Sequence, residues 1–112
     1  MARNCNVVII FAGLPENYES EGYDRKDLNM PKSHNKLIEE VANTNQNVVV
    51  VLMNGAPVEM PWIEMIKGLF ECYLAGQAVG SAIAKLLFGE ANPCGRLPET
   101  FPLKLSHNPA YL

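Results

Sequence analysis

Three observations predict an α/β fold built on a small, mainly parallel sheet. Two continuous runs of β-branched and aromatic residues, Val7 to Ala12 and Val48 to Met53, are each closed by a glycine or an Asn-Gly pair. An amphipathic stretch at helical spacing lies between them, and a second helical stripe follows a third apolar run. Apolar runs without polar alternation are typical of parallel strands buried on both faces. The order strand, helix, strand implies a right-handed crossover unit.

In chain order, Val7–Ala12 is expected as the first strand, ended by Gly13. The first helix follows from Leu37, Ile38, Val41 and Ala42, which share one face while Glu39, Glu40 and Asn43 take the other. Ser33 is its expected N-cap, and the polar stretch Asn43 to Asn47 ends it before the second strand. Pro57, Pro61 and Trp62 predict a turn and a short helix ahead of a third strand in Gly68–Leu74. After Gly76, the residues Ala78, Val79, Ala82, Ile83, Leu86 and Leu87 form a helical stripe that stops at Gly89. The tail from Ala91 carries Pro93, Pro98, Pro102 and Pro109, so it is expected as an extended wrap with at most an edge strand. The sum is a three-layer sandwich, a partial flavodoxin-like arrangement small enough that residues 1–112 are expected to be a partial domain, a fragment of a larger one.

The chain has 112 residues, 48% hydrophobic and 19% charged, a soluble globular composition. A formal net charge of −3 without a Lys/Arg cluster excludes an electrostatic footprint for nucleic acid or anionic lipid. The apolar runs fall far short of the roughly 20 residues that span a bilayer, so no membrane partner is expected. The start of the chain leaves no room for an export signal before the first strand. Cys5, Cys72 and Cys94 are an odd, scattered set with no zinc-site spacing, and they read as free thiols of a reducing, cytoplasmic compartment. His34 and His107 stand apart from each other and from the thiols, so neither a metal nor another cofactor is expected.

One connection breaks the economy of the pattern. Gly13 to Met30 separates the first strand from its helix, where such links commonly take about 2 to 6 residues. Long loops at the C-terminal end of a parallel strand are where ligand sites are built. This loop holds three Glu, two Asp, two Tyr and one Arg. A carboxyl there could act as a general acid if aromatic neighbours and a second carboxylate raise its pKa. Tyr18 and Tyr23 could supply that environment or stack on a sugar. Composition alone favours a solvated acidic surface, since charge-rich loops are usually just surface.

The run Glu19-Ser20-Glu21-Gly22-Tyr23-Asp24-Arg25 resembles the acid/base loop of the family 3 glycoside hydrolases, the β-glucosidase family. The resemblance extends in order through Asn54 to Trp62, Gly76-Gln77-Ala78, Leu87 to Glu90, Asn92-Pro93, Gly95-Arg96-Leu97 and Thr100-Phe101-Pro102. Local departures are Cys94 for a small residue, Lys85 for Asp and Val79 for Gly, all outside the loop. The resemblance implies a retaining β-glucosidase in which an Asp on a separate (β/α)8 barrel is the nucleophile and Glu21 the acid/base. That barrel is missing from this sequence, so the chain alone is expected to be inactive toward a β-glucoside or oligosaccharide. Self-association is expected through surfaces that a larger enzyme would cover.

Glu19 is the rival of Glu21, because residues two apart in an extended loop can face the same side. Only the resemblance favours Glu21. Asp24 and Arg25 could hold the loop as a charge-assisted pair, with Tyr18, Glu19 and Tyr23 in substrate contact or loop support. Trp62, following Pro61, reads as a packing anchor rather than a sugar platform. A stand-alone flavodoxin-like module that binds carbohydrate or protein without catalysis is the other functional class left open.

Overall fold

The computed structural model describes residues 1–22 and 24–111. Its core is a sheet of three parallel strands in the order β1 (Val8–Gly13), β2 (Val48–Met53) and β3 (Gly68–Glu71). Helix α1 (Lys32–Ala42) connects β1 to β2, and α2 (Val79–Leu87) follows β3. The α/β class and the parallel β-α-β unit therefore stand as the sequence predicts.

The pairing runs Val8↔Val48 through Gly13↔Met53, and Val49↔Gly68 through Leu52↔Glu71. β2 is central, and Val48, Val50, Val51 and Leu52 are fully buried. One face of the sheet carries the main core, in which Ile10, Ala12, Val48, Val50 and Leu52 pack with Ile38 and Ala42 of α1. Met30, Val58 and Trp62 complete it from the connecting segments. Trp62 is an anchor as expected: it is fully buried, and its Nε1 donates to Asn35 Oδ1 of α1 at 2.8 Å. His34, in the first turn of α1, bonds the Gly13 carbonyl through Nδ1 at 3.1 Å. A carbonyl only accepts, so Nδ1 carries the proton.

β1 departs from the expectation of burial on both faces. As an edge strand without a helix over its second face, it leaves Ile9 and Phe11 at 42% and 58% exposure, with Val7 just before it at 53%. The third layer is thus partial: α2, β3 and the tail line a common cleft on the β3 side, and the β1 side stays bare. The accessible surface of 8095 Å² exceeds the about 6,100 Å² typical of a compact monomer of 12.4 kDa. The radius of gyration, 14.8 Å, likewise exceeds the about 13 Å of a compact domain of this length.

Helix ends refine the reading. α1 begins one residue before Ser33, with Pro31 at its N-cap and no side-chain cap bond. Proline's fixed φ prepares a helix start, and the Pro31 carbonyl accepts from the amides of His34 and Asn35. α1 is also rotated so that Leu37 is 52% exposed while Ile38 is fully buried. α2 ends as predicted at Gly89, whose φ of +73° permits the 2.8 Å bond from the Glu90 amide to the Lys85 carbonyl and the 3.2 Å bond from the Gly89 amide to Leu86. This pair of bonds is a Schellman motif. The tail contributes no strand among the described residues. It is pinned by the Leu105 amide on Glu59 Oε1 at 2.7 Å and by Phe101 against the core.

Buried Asn45 closes the base of the sheet. Its Nδ2 donates to the carbonyls of Ala2 and Cys5, and its Oδ1 accepts from the Asn47 amide. The setting of α1 predicts unequal costs for adjacent truncations. Ile38→Ala should lower unfolding stability by about 2–5 kcal/mol, and Leu37→Ala by about 0.5 kcal/mol or less, as read from urea midpoints.

Candidate active site

Because the strands are parallel, the connections leaving β1, β2 and β3 all start at one edge of the sheet. The long β1–α1 loop is tied down there. Its first turn is closed by the Pro15 carbonyl, which accepts from the amides of Tyr18 and Glu19 at 2.8 and 3.3 Å. Farther along, Asp27 Oδ1 accepts from the Asn29 amide at 2.8 Å, and the Leu28 carbonyl accepts from the Glu59 amide at 2.8 Å. Met30 then enters the core at 1% exposure.

Glu19 and Arg25 hold the middle of the loop against the turn after β2. Glu19 Oε2 accepts from the Gly55 amide at 2.7 Å. Arg25 Nη1 donates to the Pro57 carbonyl at 3.0 Å, and Nη2 to the Asn29 carbonyl at 3.3 Å. Arg25 thus supports the loop through main-chain carbonyls rather than through a pair with Asp24, which is exposed. A guanidinium satisfies two convergent carbonyls without a second charge, which is why it serves a turn that presents only backbone.

Glu21 lies between these two ties and is exposed. The Ser20 hydroxyl donates to its carbonyl at 3.2 Å, and Gly22 follows at a φ of +93°, a conformation that disfavours any residue with a side chain. Tyr18 is 38% exposed. Tyr23 lies outside the described residues. The geometry therefore brings Glu19 and Arg25 together on one turn and leaves Glu21 and Asp24 facing solvent.

A second carboxylate, Glu71, was not foreseen as a site residue. It ends β3, and Glu71 Oε1 accepts from the Tyr73 amide at 2.9 Å. Tyr73 takes a φ of +49°, so the third strand stops at Glu71 instead of running to Leu74. Glu71 Oε2 accepts from Asn54 Nδ2 at 3.2 Å, and the same Nδ2 donates to the Ala56 carbonyl at 2.9 Å. Asn54 is fully buried, and its Oδ1 has no partner among the described residues. Burial pushes the Glu71 carboxyl above its ordinary range, the bonds from Tyr73 and Asn54 pull against this, and the charge of Glu19 adds to the rise. The signal in the sequence was a lone charge inside the run Leu69 to Leu74.

Chemically, the edge offers exposed carboxyls on Glu21 and Asp24 beside two that are committed to main-chain amides, Glu19 and Glu71. Among the described residues no group of three or more His, Cys, Asp or Glu side chains is arranged to hold a metal ion.

The glycosyl hydrolase family 3 C-terminal domain model matches residues 1–112. The chain belongs to this family. It is 59% identical over 111 residues to the thermostable beta-glucosidase B of Acetivibrio thermocellus, a match that covers 99% of this chain and 15% of the relative. It is 46% identical to an exo-alpha-(1->6)-L-arabinopyranosidase of Bifidobacterium longum, with 99% and 15% covered. Among solved structures, the beta-glucosidase of Kluyveromyces marxianus in complex with glucose superposes at a TM-score of 0.93 and 38% identity, covering 97% of this chain and 13% of that one. The GH3 beta-glucosidase of Bifidobacterium adolescentis gives 0.91 and 44%, with 97% and 16% covered. The family 3 chain described here thus spans about 15% of the length of its curated relatives.

The environment of Glu71 predicts a pH effect. A carboxyl whose folded pKa is raised costs the fold stability once pH climbs through that pKa, and costs nothing where both states are protonated. Glu71→Gln removes the titrating group, so the stability of the parent chain relative to the variant should fall as pH rises from 4 to 7. Denaturant midpoints measured across that range check the sign.

Proposed function

We propose that this chain supplies the general acid/base, Glu21, of a retaining family 3 β-glucosidase acting on terminal β-glucosides. The observation that carries the reading is the contrast within the loop: Glu21 is exposed at the site edge, whereas its rival Glu19 has its carboxylate seated on the Gly55 amide. The names of the Acetivibrio, Kluyveromyces and Bifidobacterium adolescentis relatives support the substrate class.

In the proposed mechanism, an Asp of a barrel outside this chain attacks the anomeric carbon while Glu21 protonates the departing oxygen. Glu21 then takes a proton from the water that releases the glycosyl intermediate. The two carboxyls must lie about 5–5.5 Å apart for this, so Glu21 has to be free to meet a surface brought to it. Tyr18 and Asp24, both exposed on this loop, would line the same approach. The isolated chain is inactive in this reading, because it brings no nucleophile. Its three free thiols support a reducing, cytoplasmic setting; no helix among the described residues is long and apolar enough to cross a membrane.

The test is a chimera in which this chain replaces the matching segment of the Acetivibrio thermocellus enzyme. It should hydrolyse phenyl β-glucoside, and Glu21→Ala should lower kcat/KM by about 10²–10⁴-fold. Equal activity in the chimera and its Glu21→Ala variant sinks the reading.

The bare face of β1 bears on the isolated chain. Ile9 and Phe11 of the edge strand, with Val7 just before it, form an exposed apolar row, the kind of surface that pairs with another copy. The chain alone is therefore expected to self-associate, and Phe11→Lys to shift it toward monomer. Light scattering decides: a clean monomer of the parent chain at high concentration contradicts the expectation.

A further inference from the structure

Glu21 sits near the middle of a long loop, and the described side chains that flank it converge on one short segment. Glu19, two residues before, ends on the Gly55 amide at 2.7 Å. Arg25, four residues after, ends on the Pro57 carbonyl at 3.0 Å. The segment they grip leaves the buried end of β2, where Asn54 is fixed by its bonds to Ala56 and Glu71. Gly55 leaves room for the grip: a Cβ there would lie 3.0 Å from Glu19 Oε1 and 3.2 Å from Leu74 Cδ1.

We propose that Glu19 is the positioning residue for Glu21, its carboxylate clamping the loop to the Gly55 amide so that Glu21 is presented at a fixed place on the sheet edge. This rests on the acid/base reading of Glu21. A carboxylate accepting from a backbone N–H makes a short, charge-assisted bond, and this one joins the loop to the central strand's exit rather than to another loop. Arg25 supplies the second point of attachment, so the stretch between is held at both ends. Gly22, at a φ of +93°, gives that stretch a bend other residues would resist. A displaced acid/base would still leave the nucleophilic attack intact, and only substrates that need protonation would suffer.

That asymmetry gives the experiment. In the chimera, kcat/KM is measured for phenyl β-glucoside, whose leaving group needs a proton, and for 2,4-dinitrophenyl β-glucoside, whose leaving group does not. Glu19→Ala should lose about tenfold to a hundredfold on the phenyl substrate and little on the dinitrophenyl one. Glu19→Gln, which keeps the side-chain oxygen that accepts from Gly55, should recover most of the loss. Equal losses on both substrates in Glu19→Ala, or no loss on either, overturn the proposal. So does a Glu19→Gln variant as selectively impaired as Glu19→Ala, because the bond that its oxygen accepts from the Gly55 amide would then not be what positions Glu21. Glu21→Gln in the same assay separates the two readings: full activity there on the phenyl substrate removes Glu21 as the acid, whatever Glu19 does.

Discussion

The parallel pairing of β2 with a strand on each side is the constraint from which the rest of the site follows. β1 and β2 are paired in register from Val8↔Val48 to Gly13↔Met53, so both release their chains at one level of the same edge. β3 pairs Leu52 with Glu71, which puts its exit beside theirs. At Gly13 the approach is so close that any Cβ would collide with the Met53 carbonyl, and the absence of a side chain lets the β1 exit lie flush against β2. A parallel sheet cannot return a strand by a short hairpin. The connections leaving β1, β2 and β3 therefore meet at that edge, and the acidic loop, the Asn54–Pro57 turn and the Glu71–Tyr73 bend become neighbours.

Much of this was readable from residue pattern. The central strand, the crossover helix, the Gly89 stop of α2 and the overlong loop after β1 each follow from local chemistry that tertiary packing did not override. The readings that moved depended on what lay next to an element. β1 has the apolar run of a two-faced buried strand, yet hydrophobicity does not say whether a partner covers the second face. Leu37 satisfies the helical stripe as well as Ile38 does, and only the docking angle of α1 buries one and exposes the other. Pro31, two residues ahead of Ser33, caps α1 instead, its carbonyl accepting the first helical amides of His34 and Asn35.

At the site, the loop and its residues were legible, and their partners were not. Arg25 stands beside Asp24, and sequence adjacency made that pair the natural expectation. Partners 32 and 36 residues away, Pro57 for Arg25 and Gly55 for Glu19, come from the meeting of strand exits, which no short-range pattern encodes. Backbone amides and carbonyls are the same at every position, so a side chain that binds them leaves no partner residue to look for.

The electrostatics separate the carboxyls by function. A raised carboxyl pKa is a common mark of a general acid, and here that mark falls on Glu71. Glu71 owes it to burial within this chain and to the nearby charge of Glu19, and both of its oxygens are occupied by an amide and by Asn54. A group so engaged braces the bend at Tyr73 and the Asn54 turn; it has no oxygen free to meet a substrate. Glu21 has the opposite character, open to solvent, with its loop fastened on both sides. In the proposed reading this chain provides position, and the domain that closes over Glu21 provides the rest of the site. The raised proton affinity of Glu71 therefore belongs to the bracing of the sheet edge and does not mark that carboxyl as the acid.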